Sequence, residues 1–347
     1  MQSRYDSITA GVKEVINAKY LKALLEDASY SPKGYWGTAP TGRIHIGYLR
    51  AMFVIADLVN ANCEVIILLA DIHAFLDSRK SPQDNQLRTQ YYQIMITELL
   101  KLLNVDMSKI KFVIGSSFQE TKEYMRELLA IANVTNCSNA KDAGTEVVMQ
   151  DSDPKLTSLL YPIMQVLDEK YLNADFELGG VDQRKIFTFG IDHVHRHTKH
   201  KITYLMNSMV PALSGISGDS GVKMSASGSV GKLDLLDSPK ELLKKIKKVY
   251  CLQGDIADNT LLQLCKHIVF PLLSRVNKIM IVTKKFDHVE SEIKNYEDLE
   301  NLFASGLHPD DFKTSVALTI GELLKPIRDK FLETDMVTLL KKAYDSK

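Results

Sequence analysis

The chain has 347 residues, 45% hydrophobic and 25% charged, with Lys plus Arg and Asp plus Glu balanced at 43 each. Such a composition is ordinary for a soluble globular protein, and the length suggests two domains. The polar opening MQSRYDSITA excludes a signal peptide as the reading of the first residues, and the apolar run 65–70 is far too short to cross a bilayer. Zero net charge gives no sign of a polyanion partner, but phosphate contacts depend on local patches. Two basic patches are present, KELLKKIKK at 240–248 and HVHRHTKHK at 193–201.

Taken in chain order, apolar residues at helical spacing predict a helix over 9–28, with Ser7 or Thr9 as its cap. Residues 34–38 read as a short strand entering a Pro-Thr-Gly turn, and 45–60 as the helix that follows. The run EVIILLAD at 64–71 has the continuous apolarity of a strand buried on both faces of a parallel sheet. Helix 84–103, strand 111–115 and helix 120–132 continue the alternation. Helix 158–171, a strand or turn at 175–180 and helix 182–196 follow. Residues 213–231 are rich in Gly and Ser and read as a loop. From 239 onward the pattern is mostly helical, interrupted at 276–283 and 295–303. Alternating strands and helices predict a doubly wound parallel α/β sheet, with ligands beyond the strand C-termini. The domain boundary is placed near Asp237.

Two short motifs carry the chemistry. Pro40-Thr41-Gly42-Arg43-Ile44-His45-Ile46-Gly47-Tyr48 stands where a strand feeds a helix, and Lys223-Met224-Ser225-Ala226-Ser227 lies in the Gly/Ser-rich loop. Glycines that admit a close backbone, an imidazole donor at a helix start, a lysine and two hydroxyls all suit phosphate oxygens. Read alone, His45 could be only a helix-start residue and the second motif a flexible polar loop. In YPIMQVLD at 161–168, Tyr161, Gln165 and Asp168 share one helical face. That face could look to solvent, although Pro162 and the apolar flanks favour a buried helix lining a pocket.

Together the motifs resemble the HIGH and KMSKS signatures of class I aminoacyl-tRNA synthetases. The block 161–168, with Tyr35-Trp36-Gly37-Thr38 and Gly179-Gly180-Val181-Asp182-Gln183-Arg184-Lys185, is similar to the tyrosine-binding set of archaeal and eukaryotic tyrosyl enzymes. The resemblance runs from about 35 to 331. Two positions depart from the signatures. Tyr48 replaces the second histidine and Ala226 the second lysine, a pattern those subfamilies tolerate. Lys223, with a potassium ion or another cation, is then left to offset pyrophosphate charge.

The resemblance implies a Rossmann-like catalytic domain over 1–237, with a connective insertion at about 120–200, and a helical anticodon-recognition domain over 238–347. It implies ATP-dependent activation of tyrosine, with Mg²⁺ on the phosphates, and transfer to tRNA(Tyr). Asp168 and Tyr35 are expected to meet the phenol hydroxyl, and Tyr161, Gln165 and Gln183 the ammonium group. Gly37, Thr38, Gly42, His45, Gly47, Gly180, Asp182 and Lys223 are expected at ATP or the adenylate. Catalytic roles fall to His45, Lys223, Ser225 and Ser227. Arg184 and Lys185 would approach the acceptor stem, or simply form an ion-paired helix start. Phe286, His308 and Asp311 would read the first anticodon base, although Pro309-Asp310 is equally a helix cap.

No resident metal is expected. His193 and His197 have i, i+4 spacing but no acidic partner, and the four cysteines form no Cys-x-x-Cys pair. A cytoplasmic homodimer is expected, with its interface around 124–136, no membrane association, and no added C-terminal domain of the animal kind. Three other readings account for less of the pattern. A tryptophanyl enzyme would have no hydroxyl for Asp168, a catalytically lost RNA-binding relative would not keep both motif halves, and a small nucleotidyltransferase leaves the 161–168 block unexplained.

Overall fold

The sheet that the alternating pattern predicts is present, with its central strands covered on both faces. The computed structural model describes residues 3–78, 82–147, 155–210, 212–213, 231–257, 259–285 and 289–345. Its strands are β1 (Glu14–Ile16), β2 (Lys33–Thr38), β3 (Glu64–Leu69), β4 (Ile110–Ile114), β5 (Phe176–Gly180) and β6 (Thr203–Asn207). They form one six-stranded sheet in the order β1-β6-β5-β2-β3-β4. All neighbours are parallel except β1, which runs antiparallel on β6.

β3 shows why its sequence is a continuous apolar run. Val65, Ile67 and Leu69 pack into the core that holds Leu49–Asn60 and Pro82–Leu102, and Ile66 and Leu68 face the other side with Tyr35, Phe187 and Tyr204. With period 2 and helices on both faces, no position of such a strand is free to be polar. The sequence order of the strands reverses between β2 and β5, so a crevice opens beyond their C-terminal ends.

The predicted helix 9–28 is not one helix. Helices Arg4–Thr9 and Ala18–Leu24 flank β1. Asn17 breaks the run with φ 60°, and its amide donates to the Ile202 carbonyl at 2.8 Å. Val15 and Ile16 thereby pair with Leu205 and Tyr204 across the sheet edge. The apolar spacing was real, but β-sheet pairing used it. The helix expected at 120–132 is Lys122–Asn133, and the one expected at 158–171 is Leu156–Tyr171. The run predicted as helix 182–196 is helical throughout, with a 3₁₀ turn at Val181–Gln183, a π turn at Gly190–Val194 and a last turn His195–Thr198. β6 and the helix Cys137–Gly144 had no clear sequence signal.

After Pro239 the elements are mainly helices, with an antiparallel ribbon of β7 (Met280–Lys284) and β8 (Val289–Ile293). The predicted interruption at 276–283 is largely β7. That at 295–303 is instead the helix Tyr296–Ala304, capped by Asn295 Oδ1 accepting from the Asp298 N–H at 2.8 Å. One apolar cluster runs from Ile8 through the sheet to Leu339. The last helical turns return to the N-terminal half, where Tyr344 donates to the Gly42 carbonyl at 3.1 Å and lies under the Arg88 guanidinium. No helix among the described residues is long and apolar enough to cross a membrane.

Gly34 tests the packing of the crevice floor. A Cβ there would meet the Phe176 ring at 2.0 Å across the β2–β5 pair. Gly34→Ala should therefore lower the urea unfolding free energy by about 1–3 kcal/mol or more, as overpacking does.

Candidate active site

The crevice between β2 and β5 holds a cavity of about 310 Å³. The β2 end supplies Tyr35, Gly37 and Thr38, and the following turn supplies His45, Gly47 and Tyr48. From the β5 end come Glu177, Gly180, Asp182 and Gln183, and from the helix Leu156–Tyr171 come Tyr161, Gln165 and Asp168. The shared helical face of these last three therefore looks into the cavity and not to solvent. Gly42 does not line it. Its carbonyl is instead held by the hydroxyls of Tyr92 and Tyr344 at 2.7 and 3.1 Å. Lys223, Ser225, Ser227 and Phe286 lie outside the described residues.

At one end the backbone N–H of Gly47 donates to His45 Nδ1 at 3.2 Å. The ring proton must then sit on Nε2, which makes the imidazole a neutral donor. Burial and the nearby charge of Lys232 push its pKa down to about 3, so it stays neutral through the physiological range. Gly47 is required here because a Cβ would come within 2.9 Å of the His45 ring. Tyr48 packs edge-on against that ring at 5.0 Å between centroids, with its hydroxyl 3.3 Å from Thr38 Oγ1. Tyr48 thus braces His45 from the side.

The turn is also tied to residues 231–237. Ile46 N–H donates to the Leu233 carbonyl at 2.9 Å, and Arg43 pairs with Asp234 at 2.9 Å. Leu213 N–H donates to the Gly231 carbonyl at 3.0 Å. Both flanks of 214–230, the stretch that contains the second motif, are thereby joined beside His45.

At the other end Asp168 is fully buried. It accepts from Gln119 Nε2 at 2.8 and 2.9 Å and from the Tyr124 hydroxyl at 2.7 Å. Burial raises its pKa to about 7, and those donors offset only part of the desolvation. His73 Nε2 stands 4.0 Å from Asp168 Oδ2, and burial holds that imidazole neutral, with a pKa of about 4. Tyr161 packs edge-on against His73 at 4.6 Å between ring centroids.

The Tyr35 hydroxyl donates to the Gln165 backbone carbonyl at 3.2 Å. Gln165 Nε2 donates to Glu177 Oε1 at 3.0 Å and to Gln183 Oε1 at 3.1 Å. Gln165 and Gln183 are therefore connected, and joined to an acid that the motif reading did not single out. Glu177 could have been noticed as an acid in the apolar middle of the segment 175–180, read as a strand or turn. His73, Gln119 and Tyr124 carry no spacing that marks them.

The residues assigned to tRNA do not line this cavity. Arg184 Nε donates to both Glu14 carboxylate oxygens at 3.0 and 3.2 Å, and Lys185 pairs with Glu146 at 3.1 Å. Both make ion pairs at the start of their helix. His308 caps the helix Pro309–Leu323, its Nδ1 accepting from the Asp310 N–H at 3.2 Å, and Asp311 is buried in the first turn. Of the histidine run, His195 turns inward to Glu169 at 2.7 Å, and His200 to the Ala174 carbonyl at 2.8 Å. These two are structural contacts and not a solvated basic surface.

Asp168 gives a stability test. Its folded pKa of about 7 lies above the ordinary 3.8, so its stability contribution is full below about pH 4 and is lost as pH rises through 7. Asp168→Asn removes that loss. With the Gln119 amide turned over, an amide nitrogen there can donate to Gln119 Oε1, which is buried without a partner in the wild type. At pH 8 the variant should unfold in urea with about 2–4 kcal/mol more stability than the wild type. The gain should vanish near pH 4.

The chain matches the family model for tRNA synthetases class I (W and Y) over residues 29–325. It is 41% identical to the cytoplasmic tyrosine–tRNA ligase of Gallus gallus over 345 residues, 99% of this chain and 63% of that protein. It is 40% identical to the cytoplasmic tyrosine–tRNA ligase of Saccharomyces cerevisiae, covering 93% of this chain and 83% of that one. The chain spans less than two thirds of the length of the vertebrate relatives it matches. Among solved structures, the tyrosyl-tRNA synthetase of Archaeoglobus fulgidus complexed with L-tyrosine superimposes with a TM-score of 0.81 at 30% identity, over 94% of this chain and 98% of that one.

Proposed function

Because the chain belongs to the class I tRNA synthetase family of tryptophan and tyrosine, we propose that it activates L-tyrosine with ATP and passes the tyrosyl group to tRNA(Tyr). The observation that carries this reading is one cavity with two unlike ends. A buried carboxylate and a tyrosine hydroxyl stand at one end, and a neutral imidazole on a glycine turn at the other.

Asp168 would accept from the phenol hydroxyl. The donors already on it, Gln119 and Tyr124, leave its buried charge incompletely met. Tyr35 would contribute its hydroxyl beside the same group. A phenyl ring offers nothing in return for desolvating that carboxylate, and an indole offers no hydroxyl at the pocket's end, so tyrosine is favoured over phenylalanine and tryptophan. The substrate ammonium would sit among Tyr161, Gln165 and Gln183.

The tyrosine carboxylate would then attack the ATP α-phosphorus in line. A new O–P bond forms as the bond to the bridging oxygen breaks and pyrophosphate leaves. His45 Nε2–H and the amides around Gly47 would donate to the phosphate charge that grows in the transition state. Gly37, Thr38, Gly180 and Asp182 would hold the nucleotide. Magnesium would arrive with ATP as part of the substrate. Lys223, Ser225 and Ser227 would close on the pyrophosphate, from a segment whose flanks meet the His45 turn.

In the second step a terminal ribose hydroxyl of tRNA, expected to be the 2′-OH, attacks the acyl carbon and AMP leaves. Residues 1–237 would carry this chemistry, and 238–347, with Phe286, His308 and Asp311, the anticodon contact. Arg184 and Lys185 would exchange their ion pairs for the acceptor stem. A homodimer would bury Met125, Leu129 and Val134, apolar side chains exposed along and just after the helix Lys122–Asn133. The cytoplasm is the expected compartment, as for the relatives so named.

ATP–pyrophosphate exchange tests the reading. Tyrosine should drive it, with kcat/KM for phenylalanine lower by at least about a hundredfold. Exchange driven by tryptophan and not tyrosine would overturn the substrate. His45→Ala should reduce kcat about 10²–10³-fold while calorimetric tyrosine affinity changes little. Full exchange activity in that variant would remove His45 from the mechanism.

A further inference from the structure

Behind the cavity lie two carboxyl groups that the proposed chemistry does not use. Glu177 is 3% exposed and Glu169 is fully buried. Glu177, on β5, lines the cavity, and Glu169 follows Asp168 in the helix Leu156–Tyr171. The two acids lie against each other. Glu169 accepts from the Tyr204 hydroxyl at 2.7 Å through one oxygen and meets His195 Nε2 at 2.7 Å through the other. Glu177 Oε1 accepts from Gln165 Nε2 at 3.0 Å, and the Tyr35 hydroxyl also lies against this carboxyl. Glu177 Oε2 is buried and receives no N–H or O–H donor.

A bare carboxylate oxygen in that position, beside a second carboxyl, is among the costliest arrangements a protein interior can hold. A proton on Oε2 removes the difficulty, because the atom becomes a donor to Glu169. We propose that Glu177, protonated and donating to Glu169, is a positioning residue that sets the Gln165 amide and the Tyr35 ring for the amino-acid substrate. The consequence for Gln165 follows from donor counting. Both N–H groups of its amide are committed, to Glu177 and Gln183, so Oε1 is the atom left to accept from an ammonium. The inference rests on the tyrosine-activating reading above.

Burial raises both acids well above the usual carboxylate range, with the Asp168 charge adding to the rise at Glu169 and the Glu169 charge to that at Glu177, in keeping with one proton retained across the pair at neutral pH. The other titratable groups facing them are Tyr35 on β2, Asp168 on the same helix as Glu169, Tyr204 on β6 and His195. Burial raises both tyrosines and keeps His195 neutral, with a pKa of about 4. Asp168 titrates near 7 and is common to the wild type and the variants below.

Tyrosine-dependent pyrophosphate exchange is measured from pH 7 to 9.5 for the wild type, Glu177→Ala and Glu177→Gln. The glutamine amide copies the protonated acid, with an oxygen to accept from Gln165 and an N–H to donate to Glu169. E177A should raise the tyrosine KM about tenfold with kcat and the ATP KM nearly unchanged, the scale of one lost hydrogen bond. E177Q should keep the wild-type tyrosine KM at neutral pH. Competence that depends on the shared proton is present at lower pH and lost as pH rises. The wild-type KM should therefore climb relative to E177Q on the alkaline side, and the ratio cancels ionisation of tyrosine itself. An unchanged KM in E177A, a loss in E177Q equal to that in E177A, or a ratio flat with pH would each overturn the proposal. If E177A does not fold, the comparison of wild type with E177Q decides alone. Absence of tyrosine-driven exchange in the wild type would instead sink the underlying reading.

Discussion

The structure around the cavity depends on keeping carboxyl groups in a place where, among the described residues, no lysine or arginine pairs with them. Asp168, Glu169 and Glu177 are all buried between β5, its neighbouring strands and the helix Leu156–Tyr171. Their hydrogen-bond donors are neutral: Gln119, Tyr124, Tyr204, His195 and Gln165. A lysine or arginine in their place would lower the carboxyl pKa values and neutralise the site. Amides, hydroxyls and imidazoles instead leave part of the desolvation unmet, so the carboxyl pKa values stay raised. At Asp168 that unmet demand lowers stability as pH rises through about 7.

The His45 end of the cavity is built differently. His45 is oriented by a backbone N–H two residues away, and Gly47 is the residue that lets its ring lie where it does. The turn is then held from three directions. Tyr48 braces the ring, residues 233–235 bond to the turn backbone, and the C-terminal turns reach back through Arg88 and Tyr344. Arg88 bonds both the Ala343 and the Thr41 carbonyls, at 3.1 and 2.5 Å, and so joins the end of the described chain to the turn near its start. The fold thus couples the His45 turn to the region after residue 237 through packing and hydrogen bonds.

Much of this was legible in the residue pattern, for physical reasons that differ by element. Buried parallel strands such as β3 announce themselves because both faces must be apolar. The face shared by Tyr161, Gln165 and Asp168 was readable because helical phase is set by geometry alone. The region 9–28 was misread because its apolar spacing suits a helix locally, and only the open edge of β6 makes it partly a strand. Helix 296–304 was missed because its cap, Asn295, had been taken as the start of a break. The two carboxyls behind the cavity were invisible as a pair, since Glu169 and Glu177 come from different elements and meet only where β5 packs against the helix that precedes it.

By itself the sequence determined the family and the residues of the motifs. A glycine turn with an imidazole, a lysine with hydroxyls, and a polar helical face are local arrangements, encoded within a few residues of one another. The tertiary structure alone decided which groups share one cavity, that Gly42 supports the turn without facing that cavity, and that His195 serves a buried acid instead of a basic surface. These outcomes turn on burial and on partners far away in the chain. A side chain's desolvation and its donors are properties of the assembled fold, and no local spacing contains them.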